Sequence, residues 1–262
     1  MKTTLITGAS GGIGEAFARR LAADKHNLCL VARSGEKLAA LCEELKAKHS
    51  VQAEFVALDL TAVEADAVLF EETTRRGLEV DWLINNAGFG NFGEFASSDL
   101  ERELGMIDLN VRVLVGLTHR YLQPMRARKS GVIINVSSTA GFQPVPFMAT
   151  YAATKAFVTA FSEALWEENR GDGIKILALC PGGTQTNFFN EAGVGDKLPM
   201  RSLETPEAVV ETALRGVRGG NSHIVSGWSN RLGANMGAIV PNSWIARTIG
   251  NVLRPKIEKK SR

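Results

Sequence analysis

The sequence predicts an α/β fold, a single domain built on a doubly wound parallel sheet of about seven strands flanked by helices. Three observations lead there. Short apolar runs of strand length, such as 27–32 and 131–136, alternate with stretches of helical periodicity. Those runs are apolar throughout rather than at every second residue, as when a parallel sheet is covered on both faces. The first strand-like run in the chain, Leu5-Ile6-Thr7, passes directly into a glycine-rich turn and then a helix-forming stretch.

Composition agrees with that fold. Of 262 residues, 45% are hydrophobic and 22% charged, enough to bury a real core. A formal net charge of +2 asks for no nucleic acid, although residues 254–262 are locally basic. Cys29, Cys42 and Cys180 lack metal-ligand spacing and the four histidines are scattered, so no metal site is expected. Buried free thiols fit a reducing, cytoplasmic compartment. The glycine turn begins at residue 8, which leaves no room for a signal peptide ahead of it. No apolar run reaches the ~18 residues of a membrane span.

In chain order, Leu5-Ile6-Thr7 is the first strand and Gly8-Ala9-Ser10-Gly11-Gly12-Ile13-Gly14 the turn, followed by a helix over 15–24. Glycines at 8, 12 and 14 allow a tight turn and close backbone approach to a pyrophosphate. The helix behind them offers free N–H groups and a positive dipole end. Gly8, Ser10, Gly12, Ile13 and Gly14 are therefore candidate dinucleotide contacts in a Rossmann-type fold. The second strand, 27–32, ends in Arg33-Ser34 with no carboxylate to hold a ribose 2′-hydroxyl. Arg33 can instead pair with a 2′-phosphate, with Ser34 and Lys37 as further donors, so NADP(H) is favoured over NAD(H). A helix over 36–49 and a strand over 51–58 follow. Asp59-Leu60 then stands where an adenine amino group can be met, and Asp59 is equally able to cap the helix expected over 62–76.

The strand 80–85 opens into Asn85-Asn86-Ala87-Gly88, where small residues allow a ligand close and the asparagines can tie strand ends together. A glycine–aromatic loop, 89–95, precedes a long helix over 99–128. Asn110 lies mid-helix among apolar residues and needs a partner; it could kink the helix and hold a water, or meet a core backbone group. The strand 131–136 ends in Ser137-Ser138. Pro144 and Pro146 delay the next helix to about Thr150, and it runs to about Asn169. That helix starts with Tyr151-x-x-x-Lys155. The four-residue spacing puts a phenol and an ammonium on one face, where the cation can lower the phenol pKa from ~10 towards working pH. Thr205-Pro206 starts a helix ending near Gly219, and 222–225 is a last strand.

Together these stretches resemble the short-chain dehydrogenase/reductase family from Thr7 to about Thr186. The resemblance rests on Thr7-Gly8-x-x-x-Gly12-x-Gly14, Asn85-Asn86-Ala87-Gly88, Asn110, Ser138, Tyr151-x-x-x-Lys155 and Pro181-Gly182-x-x-x-Thr186. It implies that Tyr151 is the acid or base on a carbonyl or hydroxyl oxygen, and that Ser138, rather than Ser137, donates to that oxygen. Lys155 lowers the tyrosine pKa and binds the nicotinamide ribose. Asn110 holds a water that relays protons from Lys155 to solvent. Asn86, Ala87, Gly88, Pro181, Gly182, Thr184 and Thr186 line the cofactor, the last four near the carboxamide. The loop 187–204, with Phe188, Phe189 and Leu198, would cover the substrate. A homodimer or homotetramer is implied by the resemblance alone.

The expected activity is hydride transfer between NADP(H) and a carbonyl or secondary alcohol. Phe89, Phe92, Phe142, Val145, Phe147, Phe188 and Phe189 point to a hydrophobic ketone, such as a 3-oxoacyl chain or a steroid-like alcohol. The competing reading is a catalytically silent, cofactor-binding regulatory protein of the same fold, and the intact Asn–Ser–Tyr–Lys set argues against it. An isomerase or dehydratase would need a larger substrate domain. Residues 1–228 form the catalytic domain. Residues 229–262 form a helical extension, expected to pack first on its own domain, next on a partner subunit, and last on a lipid surface.

Overall fold

The computed structural model describes residues 1–193, 203–236 and 240–258. Leu198, with the rest of 194–202 in the substrate loop, and the basic tail at 259–262 lie outside the described residues. Seven parallel strands form one sheet in the order β3-β2-β1-β4-β5-β6-β7. They are β1 (Lys2–Thr7), β2 (Leu28–Ala32), β3 (Ala53–Ala57), β4 (Glu79–Asn85), β5 (Gly131–Val136), β6 (Ile174–Cys180) and β7 (His223–Val225). The order reverses at β1, so the crevice between the carboxyl ends of β1 and β4 is a topological switch point, where such sheets bind ligands.

Neighbouring residues on each strand serve opposite faces, which explains their unbroken apolar sequences. Ile6, Leu30, Ile84, Ile134 and Leu177 join one core with α1 (Gly12–Ala23), α2 (Gly35–His49) and α8 (Pro206–Gly219). Leu5, Cys29, Leu83, Ile133 and Ile176 join the other with α3 (Ala65–Arg75) and α5 (Leu114–Ala127). Phe17, wholly buried on α1, contributes about 1.5–3 kcal/mol by burial alone.

The long helix expected over 99–128 is three pieces. α4 (Leu100–Ile107) and α5 are joined by a π-helical turn, Asp108–Val113, with Asn110 inside it. A π-turn of this kind re-aims side chains and is frequent at functional sites. α3 begins at Ala65, three residues later than expected, because Asp59 folds 59–61 into a turn of its own. Its Oδ1 accepts from the Thr61 backbone N–H (2.9 Å) and hydroxyl (2.8 Å). Asp59 is thus not the cap of the helix; its carboxyl is consumed two residues on.

α6 (Ala149–Glu168) starts where the prolines allow. Beyond β7 come α9 (Trp228–Met236) and α10 (Asn242–Glu258). α9 lies against the turn at 139–142, and Gly250 of α10 meets Pro146 while Leu253 is buried. The extension therefore packs one face on its own domain, along the segment that joins Ser138 to Tyr151.

Candidate active site

The glycine turn is closed by contacts that leave no room for side chains. A Cβ on Gly14 would stand 2.3 Å from the Gly8 carbonyl oxygen, and one on Gly12 would stand 3.0 Å from Thr186 Cγ2. Gly8 has φ +66°, and its Cβ would strike Asn86 and Ala87. Asn86 Nδ2 donates to the Thr7 (2.9 Å) and Gly8 (3.2 Å) carbonyls, and Thr7 Oγ1 accepts from the N–H groups of Asn86 and Ala87, both at 3.0 Å. The carboxyl ends of β1 and β4 are thereby stitched together at the switch point. Gly11 precedes α1 without any side-chain cap, so the first-turn N–H groups remain for an anion. Ser10 and Ile13 sit part-exposed on this turn. These features fit a dinucleotide pyrophosphate: an uncapped helix start behind a cradle that any Cβ would fill.

Arg33 is exposed at the end of β2, and Ser34, at the N-cap of α2, makes no capping bond. Asp59 lies close enough to feel Arg33. Its pKa is lowered first by the Thr61 hydrogen bonds and then by that guanidinium. Leu60 beside it is buried.

Tyr151 and Lys155 are both buried, on the face of α6 turned to the sheet. Burial pushes the Tyr151 phenol up to about 12, opposed by a hydrogen bond with Ser138. Burial pushes the Lys155 amine down to about 8. Its Nζ donates to the Val136 carbonyl at 2.8 Å and lies 5.8 Å from the Tyr151 ring centre. Ser137 is settled as structural: its Oγ donates to the Lys155 carbonyl and meets Thr159 Oγ1, both at 2.7 Å.

Asn110 meets the core-backbone alternative. Its Nδ2 donates to the Phe89 carbonyl (3.0 Å) and Thr154 Oγ1 (3.1 Å), and its Oδ1 accepts from the Phe89 N–H (3.2 Å). A Cβ on Gly88 would come 2.8 Å from that Oδ1 and 3.5 Å from Lys155 Nζ, so Gly88, Asn110 and Lys155 share one small space. Thr154 sits inside the tyrosine–lysine motif, and its role there escaped sequence reasoning. Asn85 ties β4 to its neighbours, donating to Asn135 Oδ1 (2.9 Å) and Thr118 Oγ1 (3.0 Å).

The carboxyl end of β6 carries Pro181, Gly182, Thr184 and Thr186. A second set of residues with no signal in the sequence holds this stretch. The Gln185 N–H donates to the Glu204 carbonyl (2.9 Å) and the Glu204 N–H to the Gly183 carbonyl (3.0 Å). The Glu204 carboxylate accepts from Ser226 Oγ (3.0 Å) and Asn230 Nδ2 (3.4 Å), and the Asn230 side chain fills the space where Gly182 would carry a Cβ.

Phe188 opens the short helix α7 (Phe188–Glu191), and its ring centre lies 5.2 Å from that of Tyr151. Phe89, Phe92 and Val145 complete an apolar wall with Met106 and Met148. Phe189 packs edge-on against Phe188, and Phe147 against Phe92. Phe142 departs from expectation and packs on His223 instead. Arg102 pins α7, donating to the Glu191 carbonyl at 2.6 Å while lying over the Phe89 ring. All three thiols are free and buried, and burial raises Cys180 to about 12, so it is no nucleophile at neutral pH. Among the described residues no cluster suits a metal ion.

A glycine cradle at a switch point and a hydroxyl–phenol–amine set at the neighbouring strand ends match known proteins. The family model "short chain dehydrogenase" matches residues 2–196. Very-long-chain 3-oxoacyl-CoA reductase-A of Danio rerio is 33% identical over 237 residues, 87% of this chain and 72% of its own length. A short-chain dehydrogenase from Sphingobium yanoikuyae, solved in complex with NADPH, is 33% identical with a TM-score of 0.82, over 91% of this chain and 93% of its own. A structure addressing 7beta-hydroxysteroid dehydrogenase stereoselectivity is 28% identical with a TM-score of 0.86, over 95% and 96%. The chain belongs to the short-chain dehydrogenase family and is an oxidoreductase acting on CH–OH or C=O groups with NAD(P).

Proposed function

We propose that the chain is an NADPH-dependent reductase of hydrophobic ketones, with a 3-oxoacyl thioester the first choice of substrate. The observation that carries this reading is the apolar wall around Tyr151, led by Phe188 at 5.2 Å between ring centres. A hydrophobic chain displaced from water gains roughly 0.8 kcal/mol per buried methylene there. The names of the 3-oxoacyl-CoA reductase and hydroxysteroid dehydrogenase relatives support it. For the cofactor, the support is Arg33 and Ser34 at the end of β2 with no carboxylate in the usual ribose position, together with the NADPH complex of the Sphingobium relative.

When bound, the nicotinamide supplies the hydride, and the chain's residues hold and protonate the oxygen. The glycine turn and the N-terminus of α1 would hold the pyrophosphate; residues 181–186 would hold the carboxamide end. Tyr151, protonated at neutral pH, gives its proton to the ketone oxygen as charge develops on it. Ser138 donates to the same oxygen and fixes its position. Lys155 carries charge below pH ~8 and takes the ribose hydroxyls, with Asn110 beside it as the start of a path to solvent. The regulatory reading is not favoured: the relatives are named as reductases and dehydrogenases, and Asn110, Ser138, Tyr151 and Lys155 are all present.

The exposed Leu100, Leu104 and Ile107 on α4 support association into a homodimer or homotetramer. The test of the function is NADPH oxidation against 3-oxoacyl thioesters of rising chain length, a steroid ketone and a small water-soluble ketone. The expected result is kcat/KM rising with apolar size. Equal rates across the panel would remove the apolar-substrate reading, and no turnover of any ketone would restore the regulatory one. Arg33→Ala should weaken NADPH by tenfold or more, about the value of a charged hydrogen bond, and leave NADH alone; an equal fall for both would overturn the cofactor preference.

A further inference from the structure

The extension α9–α10 uses one face to pack on the domain and leaves the other to solvent. Trp228 is 80% exposed and Leu232 58% on α9, and Trp244 is 70% exposed and Val252 52% on α10. Arg231 and Arg247 fall among them in sequence and Arg254 just after, and all three are exposed too. The charge of this arm is unlike that of the rest. Residues 228–262 hold seven lysines and arginines against the single carboxylate of Glu258, a net +6. The other 227 residues hold 23 basic against 27 acidic, a net −4.

We propose that this outer face is a docking surface for an anionic lipid bilayer. Tryptophan, with an apolar ring and one N–H, is the side chain that settles at a lipid–water boundary, and arginine stems lie along such a surface with the guanidinium groups among phosphates. A short helix carrying both, too polar to insert, lies in the interface plane. Among the described residues no helix is long and apolar enough to cross a membrane, and the contact proposed for these two helices is a peripheral one. A second copy is the competing occupant. It would have to bury guanidinium groups interleaved with the tryptophans, with one carboxylate on the arm to pair with them, and two facing arms repel each other. Because α9 and α10 rest on 139–142 and Pro146, the face opposite the docked one adjoins the segment between Ser138 and Tyr151.

The test is flotation of the full chain with vesicles of phosphatidylcholine alone and of equimolar phosphatidylcholine and phosphatidylglycerol, at low and high salt, with light scattering on the same samples. Binding is expected only to the anionic vesicles, with loss at high salt. Arg247→Glu with Arg254→Glu should lower the partition coefficient by about tenfold or more, and Trp228→Ser with Trp244→Ser by a similar factor. Turnover of a water-soluble ketone should be unchanged in both variants, which separates loss of binding from loss of fold. No flotation with anionic vesicles at low salt overturns the proposal, as does binding that both variants retain in full. A shift of the tryptophan variant from a larger assembly to a monomer, with no vesicle binding by the parent chain, assigns the face to a second copy and also overturns it.

Discussion

The chain has two tyrosines, and the regions around them look alike at first. Tyr121 lies on α5 and Tyr151 on α6, both buried. Tyr121 shares a hydrogen bond with Thr73 Oγ1 at 2.8 Å, and Tyr151 bonds with Ser138. Burial raises the pKa of each, and a hydroxyl partner opposes the rise in each. What separates them is their surroundings. Tyr121 is packed into the core between α3, α5 and the sheet, edge-on to Phe70. Tyr151 has a lysine one turn along, Gly88 and Asn110 beside that lysine, and the glycine cradle on the neighbouring strand ends. A perturbed phenol is therefore no signature of chemistry by itself. The signature is a perturbed phenol at the carboxyl edge of the sheet with a second titrating group in reach.

The contrast can be broken by substitution at each region. Tyr151→Phe should lower kcat by about 10²–10⁴-fold with NADPH binding retained, measured by initial rates and by fluorescence titration of the cofactor. Rates within a few-fold of the parent would remove Tyr151 from the reaction. Ser138→Ala should cost about 10²–10³-fold in kcat, the range for losing one donor to a developing oxyanion, with a smaller change in KM.

Lys155 sharpens the comparison through pH. Its pKa is near 8 in the folded chain against an ordinary 10.5, so between those values the unfolded chain holds the extra proton. Stability from this group is therefore present above 10.5 and lost as pH falls to about 8, by up to about 3 kcal/mol at 1.36 kcal/mol per unit. Urea unfolding of the parent minus that of Lys155→Met should rise by that order across this window. A flat difference would mean that the amine keeps its charge when buried. The smallest effect is expected at the other tyrosine. Tyr121→Phe should cost about 1 kcal/mol for one hydrogen bond, because Thr73 still donates to the Phe70 carbonyl, and should leave kcat unchanged.

The site was legible where its requirements are local. The spacing Gly8, Gly12, Gly14 predicts a tight turn, and a Cβ on Gly14 would stand 2.3 Å from the Gly8 carbonyl oxygen across it. The four-residue spacing of Tyr151 and Lys155 fixes a shared helix face, and both side chains are buried on it. Of the two readings of Asp59, the helix cap falls, because a turn and a cap use the same carboxylate and only the later start of α3 tells them apart.

What the sequence determined by itself is the sheet, its parallel sense, the cofactor turn and the tyrosine–lysine face, each written in residues within a turn or strand of one another. What the tertiary structure decided is everything joined across the fold. Arg102 reaches Glu191 over 89 positions, Asn110 reaches Thr154 over 44, and Asn230 fills the space beside Gly182. Such pairs leave no periodicity to read, since their partners meet only after the crossovers have laid distant segments side by side. For the same reason the sequence could place a phenol and an amine on one helix face, but the balance between burial and Ser138 that sets the phenol's proton affinity arises only when the sheet closes over it.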